Sequence, residues 1–131
     1  MALLSKEQIL AADDLTVETV AVPEWGGEVL VKALTAKQRG LWTKSLVDQR
    51  RKQQVVKVEE VQIRLCALSI VDESGRAMFG PTDLNALAGK SAGALQRVFE
   101  AAQRLSGLTD EDIEELAGNS EEILNDDSPS S

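Results

Sequence analysis

The acidic residues that could carry out acid–base chemistry occur as adjacent pairs, at Asp13–Asp14, Glu59–Glu60 and Asp126–Asp127. Neighbouring residues of a helix point to different sides of it, so such pairs do not form the facing dyad that shares a proton. The chain also contains no histidine, which removes the commonest general base and the commonest metal ligand. These residue types argue against an enzyme, and we predict no catalytic residues.

Two short motifs resemble ligand sites but lack a required part. The acidic cluster Asp110, Asp112 and Glu115 lacks the central glycine and the length of an EF-hand calcium loop. The stretch GKSAG at Gly89–Gly93 has Leu84 at the position where a phosphate-binding loop needs its first glycine. We therefore predict neither a metal site nor a cofactor.

Length and composition indicate one globular domain. The 131 residues include 43% hydrophobic residues, which is enough for a packed core. No apolar run is long enough to span a bilayer, and no signal-peptide pattern is present. The single cysteine, Cys66, lies in an apolar stretch. We interpret it as a buried thiol of a reducing cytoplasm rather than a reactive site.

The negative charge is concentrated at the C-terminus. Nine of the 22 acidic residues and none of the 14 basic residues follow Leu108, although the whole chain has a net charge of −8. The preceding part of the chain is therefore close to neutral. We expect residues 1–117 to form a single folded domain and residues 118–131 to be a disordered acidic tail.

The segment VPEWGGEV predicts a β-hairpin that turns at Gly26–Gly27. A two-residue turn there pairs Val22 with Val31 and places the valines of both strands on one face, toward the core. The opposite face then carries three apolar residues, which are candidate partner-binding residues: Pro23, Trp25 and Leu30. Either a helix of the same chain covers Trp25, or Trp25 is an exposed anchor for a partner.

Most of the remaining chain predicts helices. Ser5 with Gln8 and Thr35 with Gln38 have the spacing of capping boxes. Apolar residues at helical spacing follow in VEEVQIRLCALSIV and SAGALQRVFEAAQRLSG, and shorter helices are predicted before Gly89 and after Thr109. The stretch around Asp72–Arg76 predicts a second, short hairpin. The expected fold class is α+β, predominantly helical, with an N-terminal β-hairpin.

The predicted helix that begins after Thr35 is strongly basic. Seven basic residues and one acidic residue lie between Lys37 and Lys57, and a helix break is expected at Gln53–Lys57. Trp42 and Leu46 share an apolar stripe on this helix and are two further candidate partner-binding residues. The basic residues could form a solvated face or contact nucleic acid, although the acidic tail would repel phosphate. The tail could aid solubility, or it could compete with partners for this helix. In the second case, deleting Thr109–Ser131 would strengthen binding there.

The order of the motifs resembles the tail assembly chaperones of long-tailed bacteriophages. The resemblance covers MALLSKEQILAADDLTVETVAVPEWGGEVLVKALTAKQR at the start and IVDESGRAMFGPTDLNALAGKSAGALQRVFEAAQRLSGLTDEDIEELAGN later in the chain. Its most specific parts are VPEWGGEVLVKALT, DESGRAMF followed by DLNAL, and RLSGLTDEDIEEL, whereas Leu41–Gln54 matches nothing in it.

The resemblance implies a non-enzymatic protein of the host cell cytoplasm that is not expected in the mature virion. Such chaperones bind the aggregation-prone tape measure protein, keep it soluble and help recruit tail tube subunits. From the residues themselves we expect no membrane partner and no nucleic acid, and self-association through an uncovered Trp25 face stays open. Two alternatives remain open: a structural phage tail or connector subunit, and an acidic regulatory binding module.

Overall fold

The computed structural model describes residues 3–52 and 58–117, without the side chain of Val58. The helix break predicted at Gln53–Lys57 and the acidic tail predicted at residues 118–131 lie outside these ranges.

The described chain contains six α-helices and one three-stranded sheet, which confirms a mostly helical α+β fold. The elements in chain order are α1 (Lys6–Ala11), β1 (Val17–Val22), β2 (Gly27–Lys32), α2 (Ala36–Arg51), α3 (Val58–Ser69), β3 (Ile70–Val71), α4 (Leu84–Ala88), α5 (Ala92–Leu105) and α6 (Asp110–Leu116). No helix in residues 3–52 and 58–117 combines the length and apolar content needed to cross a membrane.

Side-chain caps fix where the helices begin. The Thr35 hydroxyl accepts from the Gln38 backbone N–H at 3.0 Å, and the Gln38 side chain accepts from the Thr35 N–H at 2.9 Å. The same reciprocal pair forms between Ser5 and Gln8, so both predicted capping boxes are confirmed. Each box satisfies two backbone donors that the first turn of a helix leaves unpaired.

The hairpin is present, but its predicted register is wrong. Val22 pairs with Gly27 rather than with Val31, and Val20 pairs with Val29. The reason is Pro23, whose fixed φ and missing N–H end the strand and begin a 3₁₀ turn over Pro23–Trp25. Gly26 closes this turn with φ 76°, and its N–H donates to the Pro23 carbonyl at 3.0 Å. The connection is therefore four residues long instead of two.

The valine face survives this change because the register differs by an even number of residues. Val22 and Val31 are fully buried, and Val20 and Val29 pack against the core at its edge. Helix α5 covers this face and also contacts α3, which supplies the buried side chains of Val61 and Leu65. The core therefore lies between the sheet and the α3–α5 layer.

The second hairpin supplies the third strand of the same sheet. The loop Asp72–Arg76 is closed by a bridge between Val71 and Ala77, as its sequence predicts. The Asp72 carboxylate accepts from the N–H groups of Ser74 and Arg76, which fixes the turn. Strand β3 pairs antiparallel with β2, through Leu30 and Val71. The sequence analysis did not predict that the two hairpins join.

Candidate partner-binding groove

The hairpin candidates lie in different environments. Pro23 is exposed, whereas Trp25 is half-buried and packs against the core. Helix α5 lies beside this turn, because Arg97 pairs with Glu24 at 3.1 Å. Leu30 is half-buried on the opposite side of the sheet from the valines. The structure thus supports the interpretation in which a helix of the same chain covers Trp25, and an anchoring role for its exposed part stays a prediction.

The candidates on α2 lie in the interior. Leu46 is fully buried and Trp42 is 2% exposed. Leu46 thus offers no surface to a partner in this structure and serves packing. The indole N–H of Trp42 is buried without a hydrogen-bond partner in the described chain, so Trp42 contributes through its ring. Trp42 nevertheless forms part of the wall of an open apolar groove.

This groove lies where α2, α3 and the segment before α4 meet, and its volume is about 220 Å³. Most of its lining is apolar, and the lining residues are Leu41, Trp42, Ser45, Arg64, Ala67, Leu68, Phe79, Gly80, Pro81 and Leu84. We call this set the Leu41–Leu84 groove. At its edge Leu41 is 58% exposed, whereas the adjacent Trp42 points to another side of the helix and is almost fully buried.

The groove contains one charged side chain. The Arg64 guanidinium donates to the Ser45 hydroxyl at 3.4 Å. Further cations of α2 line a separate depression and have acidic partners: Lys44 pairs with Asp48 at 3.1 Å, and Arg39 lies 4.0 Å from Asp112 of α6. The arrangement suits apolar side chains flanked by negative charge.

Among the described residues, Cys66 is not a reactive thiol and the acidic side chains do not form a metal-binding cluster. Burial raises the pKa of the Cys66 thiol to about 12, so the reactive thiolate is suppressed, and its sulfur donates weakly to the Leu95 carbonyl at 3.6 Å. Within the described ranges no three carboxylate, thiol or imidazole side chains lie close enough together to hold a metal ion.

Sequence reasoning missed most of the groove. Leu41 was not among the candidate residues, and Phe79 and Leu84 lie in motifs that carry the family resemblance but had no binding role assigned. Their contact with α2 depends on how α3 packs between them. One local signal existed, since FGPTDL concentrates apolar residues in a segment otherwise typical of a turn.

Comparison with known families gives a match to nearly the whole described chain. The profile of the family described as phage tail assembly chaperone matches residues 6–119. Comparison with curated proteins and with solved structures gives no significant match. The matched range contains every helix and strand described above, and the chain therefore belongs to the phage tail assembly chaperone family.

Proposed function

We propose that this protein is a non-enzymatic holding chaperone that binds the tape measure protein in the host cell cytoplasm, keeps it soluble and helps to recruit tail tube subunits. It would leave the assembly before completion and be absent from the mature virion. The observation that carries the proposal is the open Leu41–Leu84 groove, because a holding chaperone needs accessible apolar surface rather than reactive groups.

The size of the groove limits what it can bind. An apolar cavity of about 150 Å³ accepts one benzene molecule. A volume of about 220 Å³ therefore suits one or two aliphatic or aromatic side chains, not a whole helix. We expect the client to insert such side chains from an amphipathic segment. Burial of so small a surface gives weak binding at each site, which suits a chaperone that must release its client.

Co-expression with the tape measure protein of the same phage tests the proposal. The client should become soluble and co-purify with the chaperone. A client that stays insoluble, while this protein is found in purified particles, would instead indicate a structural tail or connector subunit.

Two leucine variants separate the groove from apolar surface in general. Leu41→Asp places a carboxylate at the edge of the groove, and the exposure of Leu41 should keep the fold intact. Leu10→Asp is the matched control, because Leu10 is 75% exposed on α1 and lies outside the groove. We expect about a tenfold loss of client co-purification with Leu41→Asp and less than a twofold loss with Leu10→Asp. Equal losses would contradict a role for the groove.

A further inference from the structure

The C-terminal residues contain a short motif that complements the groove. In EEILNDD the apolar pair Ile123–Leu124 is flanked by Glu121 and Glu122 on one side and by Asp126 and Asp127 on the other. The groove has the matching composition, since apolar side chains form most of it and Arg64 is its charged residue. Two aliphatic side chains also match its volume of about 220 Å³.

The described chain ends in a helix that contacts α2, which supplies Leu41 and Trp42 to the groove. Helix α6 is held in place by Ile113, which is buried in the core, and Asp112 lies 4.0 Å from Arg39. Arg39 is one helical turn before Trp42, which lines the groove. Ile123 follows Ala117 by six residues, which can span about 20 Å. The motif is thus tethered within about 20 Å of the end of α6, a helix that contacts both α2 and α3, which line the groove.

The distribution of charge around the groove decides where the acidic residues can lie. A neighbouring depression shares Arg64 and Leu84 with the groove but contains Glu59 and Glu60, which would repel an acidic segment. Arg39, Lys44 and Arg51 line a separate depression on α2, which shares no residue with the groove and also contains Asp48. Basic residues outnumber acidic ones there, so an acidic segment beside the groove is favoured toward α2 and disfavoured toward Glu59.

We infer that the Leu41–Leu84 groove is bound by the C-terminal segment of the same chain, with Ile123 and Leu124 in the groove and the flanking acidic residues beside the basic side chains of α2. The bound segment blocks the groove until a partner displaces it. This contact concerns the same groove as the proposed function, but it does not depend on which client the groove binds.

Paramagnetic relaxation enhancement in the full chain tests this contact without a client. A nitroxide at Ser128→Cys labels the end of the motif, because the buried Cys66 with its raised pKa does not compete for the reagent. The indole N–H of Trp42 reports on the groove, and that of Trp25, which is not part of the groove, is the internal reference. We expect relaxation of the Trp42 signal to increase at least threefold more than that of Trp25. The difference should shrink in high salt.

Two further samples separate a specific contact within one chain from non-specific broadening and from contact between copies. Ile123→Ser with Leu124→Ser should abolish the selective broadening at Trp42, whereas Ile123→Val with Leu124→Ile should keep it. A mixture of isotope-labelled chain without nitroxide and unlabelled chain with nitroxide detects contact between copies. Selective broadening in this mixture at the level of the single-chain sample, or equal broadening of both tryptophans, would overturn the inference.

Discussion

At the scale of single residues, burial separates the candidates that build the fold from those that a partner can reach. Leu46 and Trp42 have the type and spacing expected of a binding stripe, yet both are almost completely buried. Leu41 is adjacent in sequence but more than half exposed, and it lies at the edge of the groove. An apolar stripe thus predicts which side of a helix is apolar, whereas the packing of α3 decides which of its residues remain accessible.

Leu46→Ala tests the structural role of the buried leucine. Removing a fully buried leucine side chain loses its transfer free energy and leaves a cavity, so we expect the free energy of unfolding to fall by about 2–5 kcal/mol. Leu41→Ala, at an exposed position of the same helix, should change it by less than about 0.5 kcal/mol. Urea unfolding followed by circular dichroism measures both. Similar losses for the two variants would contradict the difference in burial between the two leucines.

The ion pair between Arg104 and Glu18 predicts a dependence of stability on pH. Two hydrogen bonds of 2.9 Å join the guanidinium of α5 to the carboxylate of β1, and this hydrogen bonding by Arg104 lowers the pKa of Glu18. A lowered pKa in the folded state adds stability above the unfolded value of about 4.3, and this stability is lost as the pH falls through the folded value.

We therefore expect Glu18→Gln to lower the urea midpoint at pH 7 and to approach the wild type near pH 3. Glu114→Gln removes an exposed carboxylate from α6 and serves as the control for the change in net charge. If the urea midpoint of Glu18→Gln differed from that of the wild type by the same amount at every pH, the ion pair would contribute no stability that depends on ionisation.

At the scale of elements, helix starts were predictable and the hairpin register was not. Thr35 and Gln38 act within one turn, so the sequence contains all of the information that their capping box needs. The hairpin depended on choosing between two turn-forming signals, Pro23 and Gly26–Gly27. The strand ends before Pro23 and does not continue to the glycines. The valines were still assigned to the correct face because the predicted and observed registers differ by an even number of residues.

The pairing of the two hairpins could not be predicted from the sequence, for a different reason. Leu30 and Val71 pair across 41 positions of sequence, and nothing local to either residue specifies the other. The same holds for the groove, which Leu41 and Phe79 line together because α2 and α4 both pack against α3. Local patterns predicted the elements, and contacts distant in sequence created the site.

Two alanine variants distinguish the observed turn from a two-residue Gly26–Gly27 turn. A type I′ turn requires positive φ at both glycines, whereas here Gly26 has φ 76° and Gly27 has no positive φ. Neither added Cβ would meet an atom within 4 Å, so only backbone strain differs. We expect Gly26→Ala to cost about 1–2 kcal/mol and Gly27→Ala to be near neutral. Comparable costs in thermal unfolding would favour the two-residue turn.

At the scale of the whole molecule, function depends on where the charges lie, and the net charge of −8 does not show this. The C-terminal acidic residues begin on α6, where Asp112 already pairs with Arg39 of the basic helix. Ile113 of α6 is also part of the core. Deleting Thr109–Ser131, the test suggested by the sequence, would therefore damage the fold together with the tail. Substitutions beyond residue 117 change the acidic tail without removing α6 from the fold.

Neutralising the acidic residues of the EEILNDD motif combines the proposed function with the inferred tail contact. We expect the fourfold variant Glu121→Gln, Glu122→Gln, Asp126→Asn and Asp127→Asn to bind the client about threefold to tenfold more tightly than the wild type at low salt. The reason is that a weakened internal competitor leaves a larger fraction of the groove open. Salt screens the same charges in the wild type, so the difference between the two proteins should shrink as ionic strength rises.

Glu111→Gln with Glu114→Gln is the matched control, because both residues are exposed on α6 and neither belongs to the motif. Binding is measured by titrating the immobilised client segment with each full-length protein. A gain of the same size in the control would assign the effect to net charge alone. Weaker binding by the fourfold variant would show that the acidic residues contact the client directly, and the tail would then be part of the binding surface rather than its competitor.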